Sequence, residues 1–358
     1  MREIMKAPVT VLCAVLSIAL ALPAQQEDMP RRSDIIVTTK IVIAPATVTD
    51  GDGRFVNGLQ VGDFTLTDND RPQRITTDVV FQPLSLVVAV QANAQVEGLL
   101  PKIQRIGPEI ASLVTGDTGE VAVMCFDHRI QTLQDFTSDP AKLDTAFKKL
   151  KPGSSSSVLN DATMDAIRLL SHRPQNRRRV LMLISETRDV AGSIRPREVL
   201  SAAQFANVLI YSVDISHLTS SLTRSAPYTR PQAIPPEARH SPTGGVLTPT
   251  EITQTYGTGN FIPMFVEIFK GVKGIFIDNP SELYTKYTGG REYSFNTQKG
   301  LDKAITDIGE ELHSQYLLSY TPDNMAEGGF HAIVVRVKGR PNLKIRTRPG
   351  YWIGGGQQ

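Results

Sequence analysis

Between residues 84 and 90 every side chain but Ser85 is apolar, and runs of the same kind return at 121–126, 180–184 and 208–213. A strand with one wet face alternates polar and apolar residues. A strand covered on both faces does not, so these runs mark the central strands of a parallel sheet. The segments between them are amphipathic. Leu99, Ile103, Ile106, Ile110 and Leu113 recur every three or four residues and form one helical stripe, with Pro108 predicting a kink. Further strands are expected at 130–136 and 291–295, and helices at 140–150, 158–171, 195–207 and 281–287. The stripe Leu301, Ala304, Ile305, Ile308 and Leu312 makes another helix, and 316–320 is expected to close the sheet. This alternation defines a doubly wound, mostly parallel α/β domain of the Rossmann type over 82–322.

The flanks have a different texture. Short alternating runs at 35–39, 46–49 and 64–67, separated by Asp-Gly and Asn-Asp turns, read as a small β domain over 33–81. Alternation resumes at 332–337 and 343–347, so 328–352 is expected to complete that domain, making it discontinuous. Residues 217–278 are rich in Pro, Ser and Thr and read as an insertion, while 261–269 is an apolar patch within it, either docked on the sheet or an exposed contact surface. Residues 353–358 read as a flexible tail.

Residues 1–24 have the three parts of a signal peptide: Arg2 and Lys6, an apolar run, and small residues ending at Ala21 or Ala24. The expectation is a secreted or periplasmic protein with no transmembrane segment after cleavage. Cys125 then stands alone in an apolar strand as a small buried hydrophobe. A formal net charge of +2 gives no reason to expect nucleic acid, and Arg177, Arg178 and Arg179 read as a solvated strand entrance. The six histidines are scattered, with no zinc spacing. Nucleophile elbow and phosphate loop are missing too, so no enzyme is expected. Asp50 to Gly53 and Asp68 to Asp70 read as tight turns without a ligand.

The runs 83–90, 180–186, Thr288-Gly-Gly-Arg291, 314–322 and Arg348-Pro-Gly-Tyr351 together resemble the secreted, acidobacterial-type family related to von Willebrand factor A. The stretch 46–59, then Asp63-Phe64 and 71–75, looks like the small β domain of such proteins. The resemblance implies a von Willebrand factor A-like fold and a binding or adhesion role. It also implies a metal-ion-dependent adhesion site of the form Asp-x-Ser-x-Ser, with a Thr and an Asp from later loops. Here Gln91, Asn93 and Gln95 replace the Asp and both Ser, Ser157 stands at the Thr position, and Glu186 at the Asp position. Ser157 is also the best candidate N-cap of the following helix.

Amides bring no net charge to offset the dehydration of Mg²⁺, so no cofactor is expected. The alternative is a weak Mg²⁺ site on Ser157 and Glu186, with Asp161 or Asp189. The functional expectation is a non-enzymatic module binding a protein or surface ligand through a degenerate site at Gln91, Asn93, Gln95, Ser157 and Glu186. The alternative is a structural component of an envelope or secreted assembly, using the insertion.

Overall fold

The continuous apolar runs form the middle of a six-stranded sheet. A computed structural model describes residues 41–78, 82–114, 119–189, 191–216, 279–294, 297–327 and 329–353. The signal at 1–24, the strand at 35–39, the insertion at 217–278 with its patch 261–269, and the tail residues 354–358 lie outside the described residues. Every residue of β5 (Leu84–Gln91) is buried, as is every residue of β9 (Val208–Asp214). Around them lie β6 (Glu120–Phe126), β7 (Ile130–Thr137), β8 (Arg178–Ser185) and β10 (Glu292–Ser294), in the order β10-β9-β8-β5-β6-β7. All pairs are parallel except the edge strand β7, which runs antiparallel to β6. The chain winds outward from β5 in both directions, so the carboxyl ends of β5 and β8 part at a topological switch point, the place where such sheets open a crevice.

Helices cover both faces. On one side α1 (Leu100–Ile103), α2 (Gly107–Val114), α3 (Pro140–Lys148) and α7 (Gln298–Ser314) enclose a core that includes Val88, Ile103, Ile110, Ile184 and Ile305. On the other, α4 (Leu159–Ser171), α5 (Pro196–Phe205) and α6 (Pro280–Thr288) enclose Ala89, Ala166, Leu183, Ile210 and Tyr284. The helix expected after β5 is broken by a 3-10 turn at Gln104–Ile106, immediately before Gly107 and Pro108, where proline removes a backbone donor. At Gly290 the backbone passes so near β9 that a Cβ would sit 1.9 Å from the Ile210 carbonyl oxygen, which only glycine permits.

Two four-stranded antiparallel sheets form the β unit, β13-β1-β11-β4 and β14-β12-β2-β3. Their strands are β1 (Val42–Thr49), β2 (Phe64–Asp68), β3 (Arg71–Gln73), β4 (Ile75–Asp78), β11 (Tyr316–Tyr320), β12 (Gly329–Val337), β13 (Lys344–Arg346) and β14 (Gly350–Ile353). Val48, Phe64, Leu66, Leu318, Ile333 and Val335 fill the space between them. One expectation is corrected here. The segment 316–320 does not close the α/β sheet; β11 pairs with β1, Ala44 opposite Leu318, and with β4. Tyr316, Leu318 and Tyr320 turn together into the β core. The α/β layer therefore ends with α7 at Ser314, short of residue 322.

The arginine cluster is a second correction. Arg177 donates to Ser85 Oγ at 2.7 Å and the Leu84 carbonyl at 2.8 Å. Arg178 donates to the Leu312 carbonyl at 2.5 Å, and Arg179 to the Ala206 carbonyl at 2.9 Å. Two of these carbonyls close the last turns of α7 and α5, which lack intrahelical donors. Arg178 and Arg179 thus cap helices, and Arg177 holds the start of β5.

The turn expected at Asp68 to Asp70 is present, with Asp68 itself on the strand before it. Asn69 and Asp70 both have positive φ, 48° and 62°, as a two-residue hairpin turn requires. Asp68 precedes the turn as the last residue of β2, and is fully buried. Cys125 is buried as expected, and burial, with a smaller effect of Asp127, pushes its thiol up to about 11, so thiolate is scarce at neutral pH.

Candidate functional site

The crevice at the switch point is built from three loops. The first leaves β5 at Gln91, crosses Ala92 and Asn93, and enters a 3-10 turn at Ala94–Leu99. The second runs from β7 through α3 to Ser157, and the third leaves β8 at Glu186. Backbone bonds fasten the first two, Gly153 N–H to the Ala92 carbonyl at 2.7 Å and Ala94 N–H to the Ser154 carbonyl at 2.8 Å.

Gln91 is the hub. Its Oε1 accepts from the Glu186 backbone N–H at 2.9 Å, while its Nε2 donates to Glu186 Oε2 at 2.9 Å and to Asn93 Oδ1 at 3.1 Å. One neutral amide thus ties β5 to β8 across the switch point. Gln91, Asn93 and Ser157 are almost wholly buried, and Asn93 Nδ2 and Ser157 Oγ make no hydrogen bond. Leaving such groups unmet costs about 1–3 kcal/mol each. Gln95 stands exposed on the 3-10 turn, outside this bonded set.

Ser157 does not cap α4. The N-cap position is Val158, which offers no side-chain bond, and Asp189 from the β8–α5 loop reaches the Leu159 and Asn160 amides instead. Burial nevertheless holds the Asp189 carboxyl above its ordinary range, with the nearby Asp161 charge adding to the effect. Asp189 Oδ2 also accepts from Asn160 Nδ2 at 2.7 Å, and Asp161 accepts from Ser193 N–H at 2.8 Å and Ser193 Oγ at 2.7 Å. Both acids brace the third loop.

Sequence reasoning missed the residues that hold the second loop. Asp127, at the end of β6, accepts from the Arg129 N–H at 2.6 Å and the Ser154 N–H at 2.8 Å. Its carboxyl sits below its ordinary range: burial raises it, and the Ser154 and Arg129 amides with the His128 and Arg129 charges outweigh that. A Ser, a His and an Asp meet here, but His128 Nδ1 faces both Ser154 Oγ, at 2.6 Å, and Asp127 Oδ2, at 3.2 Å. A catalytic relay needs opposite ring nitrogens for the two partners, so this trio is not one. An Asp ending a buried apolar strand was the available signal.

Among the described residues no three of His, Cys, Asp and Glu converge as metal ligands would, and no helix is long and apolar enough to cross a membrane.

The strand order, the antiparallel edge and the helices on both faces make the fold von Willebrand factor A-like. No family model and no curated protein matches the chain. Solved structures resemble it at a distance. An aerotolerance-related membrane protein from Bacteroides fragilis is 12% identical over 64% of this chain and 99% of its own, with a TM-score of 0.38. The conserved hypothetical protein BatB from Bacteroides thetaiotaomicron is 12% identical over 64% and 98%, at 0.41. Proximal thread matrix protein 1 from the mussel byssus, solved with a zinc-occupied MIDAS motif, is 12% identical over 68% and 49%, at 0.43. The von Willebrand factor A-like assignment follows from the strand order.

Proposed function

We propose that this chain is an exported, non-enzymatic binding module that engages a protein partner through the crevice between β5 and β8, without a metal ion. One observation carries the reading. Asn93 Nδ2 and Ser157 Oγ, on two different loops of the crevice, are buried and unmet, which is the state expected of groups whose acceptors and donors arrive with a ligand.

The donor set does not suit a divalent ion. Among Gln91, Asn93, Gln95, Ser157 and Glu186, Glu186 is the one carboxylate, and its Oε2 already accepts an N–H of Gln91; Asn93 Oδ1 accepts another from the same nitrogen. A cation among these oxygens would meet amide hydrogens, with a single negative charge to offset its lost water. Calorimetry with Mg²⁺ is accordingly expected to show no binding component that disappears in Glu186→Ala. A micromolar component lost in that variant would replace this reading with a metal-dependent one.

The partner is tested by capture from envelope extract with the tagged chain. Gln91→Ala combined with Asn93→Ala is expected to lose the captured band while retaining a cooperative thermal melt. A band unchanged in the folded double variant would sink the crevice reading. Export rests on residues 1–24, and mass spectrometry is expected to find a mature chain beginning after Ala21 or Ala24; retained Met1 in the secreted or periplasmic fraction would contradict it.

A further inference from the structure

We propose that a second site, at the carboxyl ends of β8 and β9 and the start of β10, beneath α6, binds a hard divalent cation of the calcium type through Asp214, Glu292 and the hydroxyls of Ser185, Ser212 and Ser281. Strand alternation brings these groups to one face. Tyr211, Val213 and Ile215 point into the core under α2 and α7, so Ser212 and Asp214 point the other way. Leu181 and Leu183 face the α4 to α6 side, and Ser185 follows them. Tyr293 packs on the first face, which puts Glu292 on the second. Register then sets the neighbours, with Ser212 opposite Glu292 and Ser185 opposite Asp214.

The start of α6 covers this spot. At the helix's far end Thr288 Oγ1 accepts from the Ile210 N–H at 3.0 Å, so α6 runs down β9 and begins near Asp214. There Ser281 is fully buried, and Asn279 Nδ2 lies 3.2 and 3.3 Å from the two carboxylate oxygens of Glu292.

Two independent observations ask for a ligand. The Oγ atoms of Ser185, Ser212 and Ser281 are buried and make no hydrogen bond. Neither Asp214 nor Glu292 has an ion pair among the described residues, although Asp214 is 5% exposed and Glu292 half-buried; Asp214 Oδ1 accepts from the Ser216 N–H at 2.8 Å, and the two carboxylates together bring a second negative charge that the crevice residues lack. Glu292 pairs with Ser212, two residues before Asp214 on the same face, so two like charges stand close together and repel. A cation relieves that repulsion and takes the free hydroxyl lone pairs at the same time. With no nitrogen or sulfur donor among the five side chains, the set selects a hard ion, and Ca²⁺ tolerates irregular oxygen cages best.

Calorimetry of the full chain with CaCl₂, and separately MgCl₂, tests this. Saturable binding of one or both ions is expected, weakened at least about tenfold in Glu292→Gln and in Ser212→Ala, and unchanged in Glu186→Ala. Ser212→Ala keeps both charges and decides the matter should Glu292→Gln fail to fold. The proposal is overturned by no saturable heat with either ion, by heat that survives the Ser212 and Glu292 variants, or by heat lost in Glu186→Ala, which would move the ion to the crevice.

Discussion

Replacing Asp68 with alanine is expected to lower the unfolding free energy by about 3–5 kcal/mol in urea denaturation, the range for removing one partner of a buried ionic cluster. That is a large part of the roughly 5–15 kcal/mol that holds a domain together. Asp68 is fully buried and collects four donors: Tyr351 Oη at 2.7 Å, Tyr320 Oη at 2.8 Å, Asn324 Nδ2 at 3.1 Å and His331 Nδ1 at 2.7 Å. A carboxylate only accepts, so the His331 proton sits on Nδ1. These donors come from β14, β11, the loop after β11, and β12. Alanine would strand all of them, and would remove the nearby negative charge from the buried Arg348 guanidinium. An unchanged urea midpoint in Asp68→Ala would show that water replaces the carboxylate at little cost.

The same residue sets an acid limit. Burial raises the Asp68 carboxyl, but the hydrogen bonds from Tyr351, Tyr320, Asn324 and His331 outweigh it and leave the carboxyl below its ordinary value. A depressed folded value means that the stabilisation is fully present above the unfolded value, about 3.9, and is lost as pH falls through the lower folded one. Asp68→Asn should therefore show a flatter decline in stability below about pH 4 than the wild type.

Glu311→Ala is expected to cost about 2–4 kcal/mol, less than a fully buried pair would because the Arg346 side chain left behind is 35% exposed, while the Tyr211 hydroxyl is stranded in the core. Glu311 lies on α7, 1% exposed, and its Oε1 accepts from Tyr211 Oη of β9 at 2.5 Å and from the Arg346 guanidinium of β13. Arg346 also donates to the Gly289 carbonyl at 2.9 Å, the Gly290 carbonyl, and Thr47 Oγ1 at 3.2 Å. One ion pair thus joins the β unit to the α/β layer at the α6–β10 turn. Thermal melting of Glu311→Ala should show a lower transition, and Glu311→Ala with Arg346→Met should recover part of the loss, since the second change removes the charge left unpaired. A double variant no more stable than Glu311→Ala would argue that the pair contributes packing and not charge compensation.

The α/β layer was legible because burial on both faces leaves an unambiguous mark: β5, β6, β8 and β9 carry apolar runs that no half-exposed strand would have. Gln91, Asn93, Ser157 and Glu186 could be placed near one crevice because strand ends and loop order follow from that layer. Their bonding could not. An amide reads identically whether it faces a ligand or, as Gln91 does, accepts and donates across the switch point. Tyr316, Leu318 and Tyr320 alternate, but nothing local says which sheet an alternating strand joins; pairing with the distant β1, Ala46 opposite Tyr316, is decided by the β core alone.

Charged residues show the division most clearly. Asp68 beside Asn-Asp, and three consecutive arginines, have the local chemistry of turns and solvated surfaces, and the sequence determined only that much. The places they take were decided by donors and carbonyls brought in from strands and helices far along the chain. Hydrophobic patterning is local and survives in the sequence, whereas the satisfaction of a buried charge depends on groups that meet only after folding.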